Sequence, residues 1–78
     1  MSEFQLSLAS IEEVRQFVNA ATRSPCEVDV CAGRYVVDGK SIMGLFSLDL
    51  SHPVTIRVHG GEGDREAFRQ AVENLLAK

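Results

Sequence analysis

The side chains that could do chemistry are few and widely spaced: His52 and His59, Cys26 and Cys31, Ser10 with Glu12 and Glu13, Ser41, and the segment Gly60-Gly61-Glu62-Gly63. An imidazole works as acid, base or nucleophile when a second group orients it, and neither histidine has such a partner in the sequence pattern. His52 reads as a loop residue and His59 as a solvent-facing strand end. The cysteines stand five positions apart in what reads as one strand, where odd spacing sends them to opposite faces and strains any bridge. Joining them with the two histidines as a metal site requires ligand spacings that no compact zinc motif has. Both read as reduced thiols. The glycine-rich segment lacks the Gly-Lys-Ser/Thr ending of a phosphate loop and carries a carboxylate, so it reads as a turn. A serine becomes nucleophilic only beside a base or a metal. Ser10 has neither, which points to a protein that binds partners and away from an enzyme, with no metal and no cofactor.

The bulk properties narrow the partners. With 78 residues the chain holds one compact core, read as one domain over 1–78. Its 45% apolar and 24% charged residues are those of a globular chain that folds without help. A formal charge of −3, with no basic cluster, argues against a nucleic-acid backbone as ligand. Apolar runs fall short of the roughly 20 residues that span a bilayer, and the first ten residues lack the basic start and apolar stretch of a signal peptide. A cytoplasmic protein without membrane insertion is expected.

The elements that must position these residues follow from periodicity. Phe4, Leu6 and Leu8 alternate with polar residues as one strand. Ser10 and Glu13 have capping-box spacing, so a helix starts there with Ile11, Val14, Phe17, Val18 and Ala21 as its apolar stripe, and Ser24-Pro25 stops it. Cys26, Val28 and Val30 alternate, and Ala32-Gly33 leads into Arg34-Tyr35-Val36-Val37 and Asp38-Gly39, giving a hairpin. Residues 41–48 predict a short helix, weakened by Gly44 at about 1 kcal/mol relative to Ala. Pro53 opens a fourth strand with Val54, Ile56 and Val58 inward. Asp64 is placed to cap a last helix with the stripe Ala67, Phe68, Ala71, Val72, Leu75 and Leu76. The order β-α-β-β-α-β-α predicts an α+β fold, a four-stranded sheet with the long helices on one face and the other face wet.

The run Gly39-Lys40-Ser41-Ile42-Met43-Gly44-Leu45-Phe46-Ser47-Leu48 resembles the regulatory-serine segment of HPr, the small phosphocarrier of the sugar phosphotransferase system. The resemblance implies an open-faced β-sandwich, the order of elements already read from periodicity. It places the family's regulatory serine, the target of an ATP-dependent HPr kinase, on Ser41. It places the apolar partner-binding surface on Ile42, Met43 and Phe46. The family's phosphohistidine, which takes phosphoryl from phosphoenolpyruvate through Enzyme I, falls on Ser10. The register rests on Phe17-Val18, with no insertion before Ser41. Glu12 then stands where an arginine is expected and Glu13 where a proline usually follows, and the glycine before the histidine is missing. A helix start attracts phosphate through free N–H groups and its dipole, whereas these carboxylates repel it. A serine ester is also too stable to pass on readily.

The resulting expectation is a divergent HPr-like protein that does not carry phosphoryl on histidine and acts as a regulatory or protein-binding module through Ser41. A phosphate there adds about −2 charge beside Ile42 and Met43 and changes which partner the patch accepts. Ser41 also fits a plain helix cap, and Ile42, Met43 and Phe46 fit a plain core stripe. The implied partners are Enzyme I, HPr kinase, sugar-specific components or transcriptional regulators. The alternatives are a working phosphocarrier with an altered acceptor and a small ligand-binding or structural domain unrelated to phosphotransfer.

Overall fold

The structure, a computed structural model, describes residues 3–75. Strand β1 (Glu3–Leu6) leads to helix α1 (Ile11–Arg23), followed by β2 (Glu27–Ala32) and β3 (Tyr35–Asp38). Then come α2 (Ile42–Phe46), β4 (Val54–His59), α3 (Glu62–Ala71) and a single 3-10 turn at Glu73–Leu75. The strands form one antiparallel sheet in the order β1-β4-β2-β3. The α+β order read from the sequence is the observed one.

Alternation decides which face of the sheet is covered. Val28 and Val30 of β2 and Val54, Ile56 and Val58 of β4 point one way and are all but sealed, while Glu27, Asp29, Arg57 and His59 point the other. Helices cover the apolar side. Phe17 of α1 is fully buried and meets Phe68 of α3 edge-on, with ring centroids 5.6 Å apart. Phe68 in turn lies 6.3 Å from Phe4 of β1, so three rings tie both long helices to the sheet.

Several expectations shift by a turn or a face. β1 ends at Leu6, yet Leu8 is still buried in the core from the following loop. Ile11, assigned to the apolar stripe of α1, is 68% exposed: it is the first helical residue, and the buried stripe starts one turn later at Val14. Cys26 precedes β2 instead of belonging to it, and both thiols are free and half-buried. Asp64 does not cap α3. Gly61 holds the cap position without a side-chain bond, and Asp64 lies within the first turn, where its charge still suits the helix dipole. Ala67 and Ala71 are exposed, and the helix tightens after Ala71 so that Val72 and Leu75 reach the core. Leu76 lies outside the described residues. Among the described residues, no helix is long and apolar enough to cross a membrane, and no three His, Cys, Asp or Glu side chains are grouped to hold a metal.

Two glycines let the short α2 fit. A Cβ on Gly39 would stand 2.9 Å from the Val28 carbonyl oxygen and 3.2 Å from Cε2 of Phe17, while its N–H donates to that same carbonyl at 2.7 Å. On Gly44, a Cβ would meet Cβ of Val37 at 3.3 Å, so glycine brings α2 down onto β3. The helix-propensity cost read from the sequence is offset by this approach. Gly39→Ala is expected to destabilise the protein by about 1–3 kcal/mol through overpacking, read as a lower denaturation midpoint with unchanged slope.

Candidate functional site

The helix starts that the sequence singles out are built alike. Ser10 is extended, with φ −138° and ψ 161°, and its Oγ accepts the Glu13 N–H at 3.2 Å. Oε1 of Glu13 accepts the Ala9 N–H at 2.8 Å, one residue further out than a standard capping box reaches. The Ser10 hydroxyl thus takes one first-turn N–H of α1, and Glu13 fixes the residue that leads into the cap. Glu12 and Glu13 both stand in that turn. Against the roughly half positive charge that a helix start presents, they set two full negative ones.

Neither imidazole is at this terminus. His59 ends β4 on the open face of the sheet, where its Nε2 lies 2.6 Å from Oδ2 of Asp29, the partner that the sequence pattern did not reveal. Beside it Arg57 pairs with Glu3, whose carboxylate holds the guanidinium pKa above its ordinary value. His52 sits in the loop before β4, lining a cleft under the β2–β3 hairpin.

At the second start, Ser41 Oγ accepts the Gly44 N–H at 3.2 Å and the Ser41 carbonyl accepts from Leu45 at 3.1 Å. The preceding turn is pinned twice: Asp38 takes the Ser41 N–H on its carbonyl at 3.0 Å and the Lys40 N–H on Oδ1 at 2.9 Å. Nζ of Lys40 reaches the Ser24 carbonyl at 3.4 Å, tethering the turn to the end of α1. Ser41 is exposed. Helical spacing divides the apolar residues that follow: Leu45 is fully buried, Met43 is 77% exposed and Phe46 47% exposed. Ile42, read from the sequence as a partner-binding residue, is half-buried and packs against the core.

Lys40 and Asp38 position Ser41, a role the sequence reading did not give them, although Asp38-Gly39-Lys40 before a cap serine is a recognisable turn. Tyr35 and Val36, both largely exposed on β3, left no signal, because they alternate like any strand. Asp49 accepts both the N–H and the hydroxyl of Ser51, at 3.0 and 2.6 Å, and these bonds hold its carboxyl below the usual carboxylate range. Burial first, and then the neighbouring Asp64 carboxylate, push the Cys26 thiol pKa up.

Comparison with known proteins places these features in a family. The family model described as the PTS HPr component phosphorylation site matches residues 13–78, starting three positions after Ser10. A crystal structure of HPr-C-His from Thermoanaerobacter tengcongensis is 25% identical, with a TM-score of 0.80 over 97% of this chain and 91% of that one. A phosphocarrier protein HPr from Bacillus anthracis str. Ames is 26% identical, with a TM-score of 0.76 over 96% and 93% of the two chains. No curated protein matches the sequence. With the family model spanning most of its length and the fold shared nearly end to end, this chain belongs to the HPr family of the phosphotransferase system.

Proposed function

We propose that this chain is a regulatory, partner-binding member of the HPr family that does not carry phosphoryl on histidine. The observation that carries the reading is the first turn of α1. Ser10 occupies the position where the family resemblance expects the acceptor, its Oγ is engaged as a cap, and Glu12 and Glu13 stand in the same turn, where the resemblance expects an arginine and a proline. A hydroxyl with no base beside it is a weak nucleophile, and its ester does not hand phosphoryl on as a phosphohistidine does. The match to the family model begins after this position, in keeping with a divergent first turn.

The second helix start supports the regulatory half. Ser41 is exposed, follows the tethered Lys40, and precedes the exposed Met43 by two positions. Modification by an ATP-dependent HPr kinase would place about two negative charges beside a methionine surface that adapts readily to partners. Phe46 extends that surface, while Ile42 supports it from below. Partners are then drawn from the phosphotransferase system: Enzyme I, HPr kinase, sugar-specific components or regulators. Membership of the family weighs against a domain unrelated to phosphotransfer.

Intact-mass analysis after incubation with ATP and an HPr kinase tests the regulatory half. One phosphate is expected, absent in Ser41→Ala. A kinase that labels a genuine HPr in the same tube while leaving this chain unmodified contradicts it. Ser10→Ala separates cap from acceptor: it should lower stability by about 0.5–2 kcal/mol and leave kinase labelling unchanged. Loss of labelling in a variant that denaturation shows to be folded would contradict the assignment of Ser10 as a cap alone.

A further inference from the structure

The helix layer leaves one end of the sheet uncovered. Ala32 and Tyr35 face each other across the hairpin, and their parity with the Val30 and Val37 pair puts them on the helix side. α2 ends at Phe46, and residues 47–53 leave it as a loop instead of continuing over the hairpin tip. Tyr35 therefore stays 71% exposed on the side where core residues are expected. Between the hairpin and that loop lies a cleft of about 660 Å³, with walls from Tyr35, Val37, Leu48 and Pro53. Small-molecule sites are of this size and pair apolar walls with a few convergent polar groups.

One group in the lining, the Arg34 guanidinium, points to the occupant. Arg34 and His52 both line the cleft, and neither makes a side-chain hydrogen bond or ion pair among the described residues. Asp49 also lines it; two hydrogen bonds from Ser51 to Oδ1 keep that carboxylate ionised, and it lies close enough to His52 to act on its charge, so Arg34 is the group left to meet an anion. An unpaired guanidinium recognises carboxylates and phosphates through two parallel N–H donors. The Tyr35 ring adds a flat apolar wall and a hydroxyl that donates or accepts.

We propose that this cleft binds a small organic anion about one ring in size, its carboxylate or phosphate on Arg34 and its ring against Tyr35 and Leu48. The site is distinct from the Ser41 surface and does not depend on the reading given for it. Both anion types share the recognising chemistry, and matched probes separate them.

Nitrogen–proton correlation NMR of the full chain, titrated with benzoate and with phenyl phosphate, tests the proposal, with inorganic phosphate and phenol as the split halves of the ligand. Saturable shifts are expected in the amides of residues 32–37 and 47–52 with at least one ring anion, which identifies the carboxylate or the phosphate as the preferred group. Each split half should bind more weakly. Arg34→Gln should weaken binding roughly tenfold, as when a charge-assisted hydrogen bond is lost, and its unchanged shifts elsewhere would show that the fold is intact. The proposal is overturned if neither ring anion saturates, if inorganic phosphate or phenol binds as tightly, or if Arg34→Gln titrates like the parent.

Discussion

Phe17 is the residue around which the other parts of the molecule are arranged. Its ring is sealed from solvent, meets Phe68 of α3 edge-on, and lies so close to Gly39 that a methyl there would touch it. One side chain thereby sets the seat of α1, the approach of α3 and the path of the chain into α2. Ser10 lies two turns before Phe17 on the same helix, and Ser41 lies just after Gly39. The separation of the two helix starts is fixed by this packing, and truncating a buried ring of this kind costs about 3–5 kcal/mol, a large share of the stability available to so small a core.

The two starts share a capping device and differ in what surrounds it. Each places a serine Oγ on the N–H three residues ahead. At Ser10 the neighbours are carboxylates, one of them committed to the Ala9 amide. At Ser41 they are a lysine tethered to Ser24 and an exposed methionine. At the first start two carboxylates oppose the attraction of the helix dipole for negative charge, while at the second no carboxylate stands within the first turn. Two side-chain pairs form across the open face of the sheet, Arg57 with Glu3 and His59 with Asp29. That pairing holds His59 on the side of the sheet away from the helices.

Local rules were the legible part. Val54, Ile56 and Val58 alternate in sequence and are buried in the same alternation, since a strand with one wet face has no other way to hide them. Ser10 and Ser41 were readable as caps because the bond each makes lies within three residues. The motif around Ser41 was legible too, as was its apolar content. Which members of that content face solvent was not. Met43 and Leu45 are two positions apart on one short helix, and only the seat of α2 on β3 makes one 77% exposed and the other fully buried. The same limit hid the exposure of Ile11, the displacement of the α3 cap from Asp64 to Gly61 and the cleft at Tyr35. Each depends on where a neighbouring element ends, and that is a property of the packed layers. The His59–Asp29 pair joins residues thirty apart through strand register, which alternation alone leaves undetermined.

The proposed loss of phosphoryl-carrier chemistry from the first turn of α1 decides between a carrier and a binding module. Its most direct test is incubation with radiolabelled phosphoenolpyruvate and Enzyme I, followed by transfer to a sugar-specific component, with a histidine-bearing HPr as the positive control. No acid-labile label on this chain and no onward transfer is the predicted result. Acid-labile phosphate that passes from this chain to the sugar-specific component would contradict the account, and mapping that label would show which residue had taken over as acceptor.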